Sequence, residues 1–221
     1  INKKNKILAD AGYVNGYKSN TTNKKSNLSH YFLDIDHDLK LEDFNSSDLK
    51  LSLKKVSNDT YLKVFDQHIT KSSLRPENFD NLNSSLKLFL NHEDFIFETG
   101  IQSFEDLQIE NKSDRYQYNL PYYSYDKSVE QNYFDGTINF NSNGNNYLSD
   151  TNKLETNIIN NFIYNSTDYI SDFGLKNNFS LSLKNLNSIG KKTSQYKSNP
   201  QMEIASLFNV DFSMPLEKKS N

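Results

Sequence analysis

Asp34, Asp36 and Asp38 stand at alternate positions in HYFLDIDHDLKL, residues 30–41. Carboxylates spaced in this way could open a calcium loop, whose first ligands come from its first, third and fifth positions. Such a loop also needs glycine at its sixth position and glutamate at its twelfth. Leu39 and Asn45 occupy those places, so the pattern fails. The histidines His30, His37, His68 and His92 are not at metal-ligand spacing. No G-x-S-x-G, Walker loop or G-x-G-x-x-G occurs, and with 0 cysteines there is no thiolate chemistry. Carboxylates are too common here for any pair to imply acid–base work. The residues point to no enzyme, no cofactor and no metal, so the carboxylate row needs another explanation.

The element that carries the row supplies one. Successive side chains of a strand point to opposite faces. Tyr31, Leu33, Ile35, His37, Leu39 and Leu41 then make one face, apolar except at His37. Phe32, Asp34, Asp36, Asp38 and Lys40 make the other. Carboxylates sharing a face repel unless solvated or paired, and Lys50 and Lys54 are candidate partners on the next stretch. About a dozen residues is long for a soluble strand, where roughly 5–6 is usual. It suits a tilted membrane-spanning strand, which needs roughly 9–11. Asp34, Asp36, Asp38 and Lys40 are therefore expected to line a hydrated lumen, while Leu33, Ile35 and Leu39 face lipid.

The same alternation recurs through Leu49, Leu51 and Leu53, and through Leu86, Leu88 and Leu90 with Phe89 as an exception. It recurs through Phe95, Phe97, Thr99 and Ile101, through Phe134, Ile138 and Phe140, through Phe179, Leu181 and Leu183, and through Phe208, Val210, Phe212 and Met214. About ten strands are expected, near 7–19, 30–41, 48–56, 84–91, 95–107, 116–126, 132–142, 153–164, 175–186 and 201–214. Longer connections (20–29, 57–83, 108–115, 143–152, 187–200) tend to alternate with shorter ones (42–47, 92–94, 127–131), with 165–174 as a misfit. Outer-membrane barrels pair short periplasmic turns with longer outside loops.

Composition agrees with such a wall. The 221 residues are only 35% hydrophobic, with mean hydropathy −0.79. Yet 14 tyrosines and 15 phenylalanines are many for a disordered chain. A barrel reconciles the two, since half of each strand faces water. Net charge is −3 and no basic stripe with interleaved aromatics appears, which does not suggest nucleic-acid binding. No apolar run reaches the roughly 18 residues of a transmembrane helix. The chain opens on Ile1-Asn2-Lys3-Lys4 and closes on Lys218-Lys219-Ser220-Asn221, and is expected to be an internal piece of something longer. The tyrosines between Tyr116 and Tyr125 fit a membrane-interface girdle, with a bulge or strand start at Pro121. A sugar-stacking platform is the alternative.

The segment Val56-Ser57-Asn58-Asp59-Thr60-Tyr61-Leu62-Lys63-Val64-Phe65-Asp66 resembles the S-D-x-T-Y-L-x-x-Y-D segment of the lipopolysaccharide-assembly protein LptD family of alphaproteobacteria. Asp114-Arg115-Tyr116, leading into Leu120-Pro121-Tyr122-Tyr123-Ser124-Tyr125, resembles that family's P-x-x-L-P-x-x-x-Y strand. Phe134-Asp135-Gly136-Thr137-Ile138-Asn139-Phe140 resembles the following G-G-x-L-x-L strand. The stretch 174–196, with Leu183-Lys184-Asn185-Leu186-Asn187, is similar to a later strand and loop. The ordered set runs across most of the chain.

The resemblance implies an all-β, antiparallel up-and-down sheet forming part of a large transmembrane β-barrel in the cell outer membrane. Residues 1–221 would be one partial barrel domain, with the N-terminal jellyroll and the closing strands absent. It implies insertion of lipopolysaccharide into the outer leaflet, contact with outer-membrane lipids, and an LptE-like lipoprotein plug. It also implies periplasmic Lpt bridge proteins that act through the missing domain. No gate residue carries over, and inter-domain disulfides have no cysteine here. The alternative is a surface-exposed β-rich glycan-binding or adhesin-like module.

Overall fold

The computed structural model describes residues 5–18, 25–69, 71–109, 114–131 and 135–214. Of these, 69% are strand and 4% helix. The strands are β1 (Lys6–Lys18), β2 (Lys25–Asp38), β3 (Ser46–Val56), β4 (Asn81–Asn91), β5 (Phe95–Asp106) and β6 (Tyr116–Gln131). They continue with β7 (Gly136–Ser149), β8 (Lys153–Ser166), the two-residue β9 (Tyr169–Ile170), β10 (Lys176–Lys191) and β11 (Gln201–Ser213). Two one-turn helices, α1 (Tyr61–Val64) and α2 (Asp66–Ile69), lie between β3 and β4. Each long strand pairs antiparallel with its sequence neighbour in one up-and-down sheet, and β9 pairs only with β10. β1 and β11 have a partner on one side each, so the sheet is open rather than closed into a barrel.

All ten expected strands are present, several longer than the alternation suggests. The expected short connection at 127–131 belongs to β6, and most of the expected loop 143–152 belongs to β7. Asparagine, serine and glycine read as loop in sequence, but here they pair in register from Gly144 to Ser149. The turn that remains, 150–152, is short, which weakens the expected long–short alternation. Parts of the expected connections 20–29 and 108–115, the strand residue Phe134 and the closing lysines fall outside the described residues.

Register sorts the side chains onto two faces, because directly opposed residues share a side. Ile7, Ile35, Leu51, Leu86 and Ile101 form one row across β1–β5. Leu33 and Leu53 lie in the row beside it, and Leu88 and Thr99 flank it on the other side. This apolar face carries rings at both ends. At the end where β4 turns into β5, Phe44, Phe95, Tyr125 and Phe140 have successive centroids 6.0, 5.6 and 6.1 Å apart. At the same end of β8–β11, Tyr164, Phe179 and Phe208 follow at 5.6 and 6.1 Å. At the opposite end, Tyr116 and Tyr118 stack at 6.2 Å. The tyrosine-rich strand thus contributes to both ends, while Tyr122 points to the other face, opposite Gly100 and Asn145. The expected bulge is present: register shifts at Leu120–Pro121 against both β5 and β7.

A polar strip crosses the apolar face. Tyr123 Oη lies 3.1 Å from Ser142 Oγ, which donates to Asn160 Oδ1 at 2.7 Å. Asn160 Nδ2 donates to Asn185 Oδ1 at 3.1 Å. The amides satisfy one another across strands, so their donors and acceptors pair within the sheet.

The second face is polar throughout most of its area. A sheet with one apolar and one polar face ordinarily rests its apolar side on a second layer. Here the buried hydrophobic cluster comprises Leu28, Phe32, Val56, Tyr61, Leu62, Ile69, Leu74, Leu82 and Leu107. It lies where segment 57–80 covers the polar-face side of β1–β3 and seals the rim of β4 and β5. Among the described residues no second layer covers the apolar face, and Ile7 and Phe212 are about two-thirds exposed.

Candidate functional site

The polar face is the candidate site, and β2 begins it. Asp34, Asp36 and Asp38 share this face, opposite Ser52, Lys50 and Asp48 of β3. Ser52 Oγ donates to Asp34 Oδ1 at 2.7 Å, and Lys50 Nζ lies 3.8 Å from Asp36 Oδ2. Lys54, the other candidate partner, stands opposite Phe32 instead. Lys40 leaves the row. β2 ends at Asp38, Lys40 adopts φ 53° in the following turn, and its backbone N–H donates to Asp38 Oδ1 at 3.1 Å. Alternation fails beyond the last ladder pair because the turn reorients the chain.

The row continues along the register into residues the sequence did not single out. Lys87 on β4 faces Lys50 and forms a 2.6 Å ion pair with Glu98 on β5. Farther on, β7 presents Asn139, Asn141, Asn143 and Asn145 on the same face. Asn141 Nδ2 donates to Asp126 Oδ1 at 2.5 Å, Asn143 to Asn141 at 2.6 Å, and Asn161 to Asn141 at 3.3 Å. Tyr147 Oη donates to Gln117 Oε1 at 2.5 Å. Neutral amides and hydroxyls held in such a mesh offer hydrogen bonds to polar ligands without a strong field. The period-two spacing of the asparagines was the available signal, obscured by their loop-like composition.

At one end, segment 57–80 covers the polar face of β1 and β2. His30 is 3% exposed, with its Nδ1 3.0 Å from Tyr61 Oη and its Nε2 3.4 Å from Asp10. Gly12 makes room for this ring: a Cβ there would fall 2.5 Å from His30 Cε1 and 3.0 Å from Tyr61 Oη. Gly12→Ala is expected to displace the imidazole and loosen the segment, costing about 1–3 kcal/mol as overpacking does. Urea unfolding and limited proteolysis within 57–80 check this.

Ion pairs close the segment. Lys63 Nζ lies 2.5 Å from Asp80, Arg75 pairs with Asp66, and Arg115 Nη1 reaches Asp59 at 2.8 Å. The Lys63 ammonium, bonding to Asp80, holds that carboxyl below its ordinary value of 3.8. A depressed carboxyl favours the folded form above its unfolded value, and the benefit fades as pH falls through its folded value. Segment 57–80 is therefore expected to lose hydrogen-exchange protection below pH 3.8. Asp80→Asn should reproduce part of that loss at pH 7.

The rim also holds a buried charge network invisible in the sequence. Glu105, 7% exposed, accepts from Arg115 Nη2 at 3.1 Å, Lys55 Nζ at 3.1 Å and Tyr116 Oη at 2.8 Å. It joins the end of β3 to the β5–β6 connection, and through Arg115 to Asp59 of the covering segment. Its charges pair with one another, which suits it to holding the rim together. No family model matches the chain, and a search of curated proteins finds no match to it.

Proposed function

We propose that this chain is a section of the wall of an outer-membrane β-barrel that inserts lipopolysaccharide into the outer leaflet. The observation that carries the reading is the sorting of a single-layer sheet by register. Lipid would meet the Ile7–Ile35–Leu51–Leu86–Ile101 row. Water and a phosphorylated saccharide headgroup would meet the Asp34–Asp36–Asp38 row and the asparagines of β7. Strands of 11–16 residues, long enough to cross a bilayer at a tilt, support this, as do aromatic rings at both ends of the apolar face.

In that setting transport is binding and passage without covalent chemistry. Carboxylates and lysines in alternation keep the passage wet, and the asparagine amides hydrogen-bond sugar hydroxyls. An LptE-like plug and periplasmic Lpt bridge proteins belong to this proposal through the resemblance alone. The polar-face tyrosines Tyr122 and Tyr147, set among asparagines, favour a second reading as a surface-exposed glycan-binding or adhesin-like module.

Photo-crosslinking separates the two. A benzoylphenylalanine at Asn143 should capture lipopolysaccharide in outer-membrane vesicles, while one at Leu88 should capture phospholipid. A chain that stays monodisperse in buffer without detergent, and crosslinks only soluble glycan, would establish the second reading instead.

A further inference from the structure

One groove on the apolar face lies between two faults in the ladders, and its construction points to a ligand. On β3 and β4 the ladder stops at Ser52 opposite Ser85. Beyond it, Lys54 N–H donates to Ser84 Oγ at 2.9 Å in place of a carbonyl. On β5 and β6 the register shift leaves Ile101 without an opposed residue beside Leu120–Pro121. Between these two faults stand the small side chains of Ser84 and Ser103, directly opposed. The result is a groove of about 300 Å³ walled by Leu51, Leu53, Leu86, Ile101, Tyr118 and Leu120.

Lys55 lies on the same face one register step beyond Leu53, half-exposed, with its ammonium 5.1 Å from the Tyr116 ring centroid. An ammonium has three donors. Two go to Glu105 at 3.1 Å and Tyr116 at 2.7 Å, which leaves the third for solvent or a ligand.

We propose that this groove seats one acyl chain of a bilayer phospholipid, with the lipid phosphate bonded to Lys55. The proposal rests on the reading of this face as membrane-facing. Apolar walls fit the chain, the cation stands at one mouth, and the stacked Tyr116 and Tyr118 mark the level where headgroups meet hydrocarbon. The bound lipid fills a place where the wall is thin in side chains.

The sequence has 0 tryptophans, so a single inserted one reports cleanly. Tyr118→Trp places it at the groove, and Leu88→Trp on the same face outside it. Each chain is reconstituted into phosphatidylglycerol vesicles with brominated acyl chains, then transferred to unbrominated detergent micelles. Both should be quenched in the vesicles. After transfer, recovery at Tyr118→Trp should be slower by on the order of tenfold, because a seated lipid leaves slowly. Adding Ser103→Leu to fill the groove, or Lys55→Gln to remove the cation, should abolish the delay. Equal recovery at both positions, or a delay unchanged by Ser103→Leu, overturns the groove. Absence of quenching at both positions in vesicles overturns the membrane-facing reading itself.

Discussion

Glu105→Ala is expected to destabilise the folded chain by about 3–5 kcal/mol, the range for removing one partner of a buried ion pair. Arg115 is only 5% exposed, and among the described residues it retains Asp59 as its charged partner once Glu105 is removed. Lys55 is half-exposed and can return to water, so its share of the cost is small. Lys55→Ala should therefore cost less than about 1 kcal/mol, as partly solvated pairs do. Urea titration in detergent, followed by β-sheet circular dichroism, measures both. Equal midpoint shifts for the two variants would mean that the buried guanidinium finds other solvation, contrary to the geometry.

Ile35→Arg is the second large effect, about 2–4 kcal/mol if the residue lies near a bilayer midplane. Ile35 sits between Ile7 and Leu51 in the apolar row, where a guanidinium meets no acceptor across the strands. Ser52→Arg, on the opposite side of the same wall, is expected to be nearly neutral. Its guanidinium would meet the Asp34 carboxylate that Ser52 Oγ now binds at 2.7 Å. Folding yield into vesicles, read by heat-modifiable gel migration, distinguishes them. Similar yields for both would contradict the assignment of the two faces.

Much of this architecture was legible in the chain itself. Period-two alternation located all ten long strands, and it put Asp34, Asp36 and Asp38 on one face because that face is fixed by parity alone. The bulge at Pro121 was legible for the same local reason, since proline has no N–H for the ladder. Lys40 was misplaced because parity holds only while the ladder lasts. Residues 143–149 read as loop because asparagine and glycine favour turns in isolation, and only pairing on both sides makes them strand. The Glu105–Arg115–Lys55 network and the aromatic ends join residues far apart in sequence, so they depend on register. Segment 57–80 gave no periodic signal, since its helices are four residues each.

That segment shelters the polar side at β1 and β2 while the amide terrain of β7 and β8 stays bare. In the proposed barrel, a bulky glycolipid moving along this surface would be steered off-centre, toward the asparagine lane and away from the roofed one. Loosening the roof would then widen the track sideways without altering a single amide proposed to meet the cargo.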